Sequence, residues 1–169
     1  MTSMVGRATG IAIALAGALQ AAPAAAQQID VEKATELEKQ AAALYTQPDR
    51  YTQAARLHVR AAQLRPAGDP EQVTDLTMAA RLHYYAGNIA DALRFMSSAA
   101  SAAHASGDVV NAAERYMDAS HLAFELGRRD AVEQFTEQAR LLTFSPLIAD
   151  EKRDDLRARI ETGRVVSFR

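Results

Sequence analysis

The sequence predicts an all-α protein made of antiparallel helix hairpins. Three observations carry that reading. Apolar residues recur at helical spacing, as in Tyr51, Ala54, Ala55, His58, Ala61 and Ala62, or Ile89, Ala92, Leu93, Met96, Ala99, Ala100 and Ala103. Turn signals return at an almost constant interval. Strand signals are missing, with Val-Val only at 109–110 and 165–166. Alanine, the best helix former, supplies 27 of the residues from 27 onward.

The first 26 residues have the three parts of a secretory signal. Arg7 is their only charge, Gly10–Leu19 is a ten-residue apolar run, and Ala24-x-Ala26 fits the small-residue cleavage rule. Cleavage there leaves Gln27 at the mature terminus. The alternative is an uncleaved anchor, but ten apolar residues are short for a ~30 Å hydrocarbon layer. A signal peptide on a chain with no cysteine suggests a bacterial periplasm or exterior. The division is then a signal peptide at 1–26, a helical-repeat domain at 27–162 and a tail at 163–169.

The punctuation of the body sets its helices. Pro48-Asp49, Gly68-Asp69-Pro70, Gly87-Asn88, Gly107-Asp108 and Gly127 follow one another by 20, 19, 20 and 20 residues. Glycine takes the left-handed conformation that closes a helix, and Asp or Asn caps the next one. Pro70 stands where a first-turn proline does no harm. The predicted helices are 30–46, 49–65, 70–86, 89–105, 109–126 and 129–143. A last one covers 146–161, opened by Ser145-Pro146 and closed near Gly163. Loops this short turn neighbouring helices antiparallel.

The hairpins themselves repeat. Ala54, Ala92 and Ala131 match in the second helix of successive pairs, at separations of 38 and 39. Four residues on stand His58, Met96 and Phe135, bulky groups in one slot. Then come Ala61-Ala62, Ala99-Ala100 and Gln138-Ala139. In the first helices Ala41-Ala42, Ala79-Ala80 and Ala119-Ser120 correspond. This arrangement resembles the tetratricopeptide repeat family over residues 30–145, best at Gly87-Asn-Ile-Ala-Asp-Ala92…Met96…Ala99. The family period is 34, so each unit here is four or five residues longer, and the family's tryptophan is absent. The resemblance implies a short right-handed superhelix with 146–161 as capping helix. The alternative is a helical bundle of similar helix lengths.

The composition excludes several functions. Without cysteine there is no disulfide framework, thiolate metal site or cysteine nucleophile. The net charge is −2, or 18 − 21 = −3 without the leader, against the basic excess of a nucleic-acid binder. No catalytic motif such as G-x-S-x-G, G-x-x-x-x-G-K-[ST] or H-E-x-x-H occurs, so the expectation is a non-enzymatic protein without cofactor. His58, His83, His104 and His121 lie on four different helices without metal-ligand spacing. His58 and His83 fall on apolar stripes and read as hydrogen-bonded core residues. The tail 150–169 holds six basic and five acidic residues, a solvated pattern.

One surface remains. In the resembled family the first helix of each pair lines a concave groove. That implies Lys39, Gln40 and Ala43 from the first pair, Thr77, Arg81, Tyr84 and Tyr85 from the second, and Met117, Asp118, His121, Phe124 and Glu125 from the third. Aromatic rings among mixed charges suit capture of a protein or peptide. The same rings could instead pack against the next helix. The expectation is an exported interaction scaffold for a partner in the cell envelope, with no transmembrane segment in the mature chain. The alternative is a bundle binding a small ligand, a metal or haem.

Overall fold

The computed structural model describes residues 30–163; the predicted leader, and the tail beyond Gly163, lie outside the described residues. Those described fold into seven α-helices with no strand among them: α1 Val31–Ala42, α2 Tyr51–Leu64, α3 Pro70–Tyr85, α4 Ile89–Ala105, α5 Val109–Glu125, α6 Arg129–Leu142 and α7 Asp150–Thr162. Each of the first six packs against the next in sequence. None is long and apolar enough to cross a membrane.

Local chemistry explains the boundaries. Asp30, Asp69 and Asp108 accept hydrogen bonds from the backbone N–H groups of Lys33, Glu71 and Asn111, at 2.9, 2.9 and 3.1 Å. These caps satisfy donors that a first helical turn leaves unpaired. The glycine turns close by one geometry. Gly87 and Gly107 take φ of 77° and 81°, and the next N–H bonds five residues back, Asn88 to His83 and Asp108 to Ala103. That is the Schellman closure, which a side chain at the left-handed position would strain. Asn88 departs from the expected capping role. Its side chain donates across to Thr52 Oγ1 at 3.2 Å, tying the start of α4 to α2.

Two helices differ from their predicted spans. The first stops at Ala42 rather than 46, and the chain then turns through Leu44 and Tyr45 into a 3-10 turn at Pro48–Arg50 before α2. Leu44 is buried by this detour and joins the core. The last helix starts at Asp150, four residues later than expected. Ser145 and Pro146 instead make a tight turn, in which Ser145 Oγ accepts from Leu147 N at 3.2 Å. That turn plants Ile148 in the core, and α7 is held down by Leu156, which is fully buried.

The small-residue slots lie where helices meet. Ala54, Ala92, Ala61, Ala99, Ala100, Ala79, Ala80 and Ala119 have no exposed surface. Met96 fills its slot completely buried, whereas Phe135 and Ala131 are only half-buried in the third pair. The repeat signal fades where fewer helices remain to cover it.

Candidate functional site

Burial, charge and shape distinguish two places. The first is a buried polar chain between α1, α2 and α3. Asp75 on α3 is 1% exposed. One of its carboxylate oxygens meets His58 Nδ1 at 2.8 Å and the other accepts from Arg65 Nε at 3.0 Å. A carboxylate only accepts, so Nδ1 carries the hydrogen. His58 Nε2 faces the Tyr45 hydroxyl, and Arg65 also pairs with Glu38 and, at 3.3 Å, with Asp69. Burial, then the charges of Asp75 and Glu38, push the Tyr45 hydroxyl above its ordinary range, so it stays protonated and donates. Burial alone would lower the pKa of Arg65, but the hydrogen bonds and charges of Glu38 and Asp75 outweigh it and hold the guanidinium charged. Every arm of this chain is answered from inside, so it anchors helices and offers no open chemistry. His83 is also buried, stacked on Phe95 at 5.4 Å, with its Nδ1 unbonded.

The second place is the face shared by α3, α5, α6 and α7. Glu125 Oε1 accepts from the Tyr84 hydroxyl at 3.2 Å and lies 2.9 Å from His121 Nε2. This joins two first-of-pair helices through residues expected on the groove. Burial, followed by the Glu125 hydrogen bond, raises the Tyr84 pKa, which keeps it a donor. One helical position on, Tyr85 swings about 100° away. It packs toward Tyr51 of α2 at 6.3 Å and leaves 49% of its surface exposed. Beside the cluster Phe124 is 71% exposed. Behind it a cavity of about 330 Å³ opens between α5, α6 and α7. Met117, Phe124, Val132 and Ile160 give it apolar walls; Ser120, His121, Thr136 and Arg159 add polar groups. Ser120 Oγ and Thr136 Oγ1, 2.8 Å apart, join α5 to α6 across its floor.

The remaining groove residues scatter. Asp118, expected on the groove, is 1% exposed instead, with Arg115 Nε 3.4 Å away. About 100° round the helix from Met117, it turns into the packed side of α5. Met117 is buried too, but as cavity wall. Arg81 and Thr77 are half-buried on α3, with Arg81 Nε unbonded. Lys39 and Gln40 are exposed on α1, where Gln40 donates to Glu36 of its own helix at 3.1 Å. The sequence pointed to Met117, His121 and Phe124, but not to Val132, Thr136, Arg159 and Ile160. Val132 and Thr136 come from α6, and Arg159 and Ile160 reach the cavity because α7 folds back beside α5. Among the described residues no group of three or more His, Asp or Glu could hold a metal ion.

Compared with known protein families, curated proteins and solved structures, the chain gives no significant match.

Proposed function

We propose that this protein is an exported, non-enzymatic interaction scaffold. In this reading the hairpins stack as a tetratricopeptide-like right-handed superhelix, and the face carrying Tyr84, His121, Phe124 and Glu125 captures a protein or peptide in the cell envelope. The observation that carries it is Phe124. An aromatic ring left mostly in water costs solvation, yet here it stands beside an apolar cavity and a polar cluster that fixes orientation. Exposed rings flanked by directed polar groups are the usual anchors of recognition.

The test is capture of a partner from envelope extract, identified by mass spectrometry and re-measured with purified protein. Replacing Tyr84 and Phe124 together by alanine should weaken affinity by about 2 kcal/mol or more. His58→Ala should lower stability and leave the affinity of the folded fraction unchanged. Loss of capture in the histidine variant alone would sink the proposal. Export is tested separately by intact mass, which should begin at Gln27.

A second reading rests on the cavity, whose volume reaches the range of small-molecule sites. In it an apolar ligand fills the space between α5, α6 and α7. Co-purified ligand in native mass spectra, lost on Val132→Asp, would favour it over partner capture.

A further inference from the structure

The α5–α6–α7 cavity is apolar over most of its wall, and its titratable groups are of one kind. Among the described residues that line it these are His121 and Arg159, two bases and no acid. The polar groups differ in what they leave for a ligand. Ser120 Oγ donates to Val132 O at 3.2 Å, so the hydrogen between it and Thr136 Oγ1 comes from Thr136. Both hydroxyl protons are thus used inside the protein. His121 Nε2 is held by Glu125 at 2.9 Å. Arg159 is different. Its Nη1 donates to Glu114 at 3.0 Å, but that carboxylate is shared with Lys152 at the same distance. Asp155, its side chain half exposed, stands off at 3.6 Å. Arg159 Nε is buried with no acceptor in the protein. A buried guanidinium N–H without a partner is costly, and an anionic oxygen answers it best.

Size and shape set the rest. At about 30 Å³ for a water-sized group, 330 Å³ holds on the order of eleven heavy atoms. Along α5 the wall runs from Met117 to Phe124, ~10 Å at the helical rise. Arg159 pairs with Glu114, three positions before Met117, so the cation stands at that end and the exposed ring of Phe124 at the other. We infer that the cavity binds a medium-chain monocarboxylate of about eight carbons. Its carboxylate meets the Arg159 guanidinium. Its alkyl chain lies between Met117, Val132 and Ile160, with the end toward Phe124. This rests on the second reading above, in which an apolar ligand fills the space, and it adds the head group that orients that ligand.

The probes are octanoate, 1-octanol and octylammonium, titrated into the full chain by calorimetry below their aggregation concentrations. Octanoate gives up more hydration on entry than octanol, so a preference for it needs a cation in the wall. The expected result is one octanoate per chain, bound about tenfold or more tightly than octanol, and no measurable binding of octylammonium. Val132→Asp should abolish binding of octanoate and octanol alike. Arg159→Gln should bring octanoate down to the affinity of octanol and leave octanol unchanged, which shows that the cavity survives. The comparison of octanoate with octanol in the unaltered chain decides the matter even where Arg159→Gln loosens α7. Equal affinity for the two, or a preference for octylammonium, overturns the carboxylate and leaves the apolar-ligand reading standing. Binding of none of the three overturns both. Octanoate binding that survives Val132→Asp overturns the assignment to this cavity.

Discussion

The two ends of the molecule handle their polar and apolar groups in opposite ways. Around α1–α3 the polar groups are inside: Asp75 and Arg65 are buried and answered by His58, Tyr45, Glu38 and Asp69. Around α5–α7 apolar groups are outside: Phe124, Leu141, Phe144 and Leu147 are all exposed. Arg157 stacks over Phe144 at 5.2 Å and shields it only in part. A buried ion network contributes little net energy over a hydrophobic filling, but each member becomes costly to remove because its partners stay behind. Exposed rings behave the other way: removal costs the fold little and takes away binding surface. One end is built to fix a helix register, the other to leave surface available.

The largest effect should come from the polar end. Asp75→Ala leaves Arg65 Nε and the His58 N–H without their acceptor in the interior, although Glu38 and Asp69 still pair with Arg65, and should destabilise by about 3–5 kcal/mol in chemical denaturation. A loss as small as that of an exposed substitution would erase the contrast between the ends. Next is the middle of the stack. Ala92 is fully buried at a helix contact, so Ala92→Leu should cost about 1–3 kcal/mol by overpacking, read as a lower melting temperature. The same change at Ala131, half-buried in the third pair, should cost less.

The smallest effect concerns the joint that holds α7. Glu114 accepts from Lys152 and Arg159, both at 3.0 Å. Burial alone would raise its pKa, but those two hydrogen bonds and charges outweigh it and hold the carboxyl below its ordinary 4.5. A carboxylate lowered in the folded state adds stability that is present above pH 4.5 and fades as pH falls through the lowered value. Glu114→Gln should cost about 1 kcal/mol at neutral pH and flatten stability below pH 4.5. Hydrogen exchange should show the loosening in α7 first. Equal loosening of α1 would mean that the two ends are not independent.

Much of the fold was legible because it is written in local chemistry. Glycine at 87, 107 and 127 closes a helix, and Asp69 and Asp108 cap the next one from two and three residues' distance. The alanine stripes marked the helix contacts, and His58 and His83 on those stripes were read as interior. The early end of α1 and the late start of α7 were not legible. Both depend on which residue, Leu44 or Ile148, finds a place in the core.

The site divides along the same line. The sequence by itself determined the helices, their order, the short turns between them and a set of rings and charges on alternate helices. Each of those follows from interactions within a few residues, where spacing in sequence equals spacing in space. Only the tertiary structure decided that Asp75 rather than solvent faces His58 and Arg65, that Asp118 is buried while Phe124 is not, and that α7 returns to wall a cavity with Val132 and Thr136. Those outcomes join residues 10 to 45 positions apart, and they turn on rotations of about 100° between neighbouring helix positions. A periodic stripe gives the side of a helix that packs, but at the stripe's edge the next helix's placement chooses which side chain goes in.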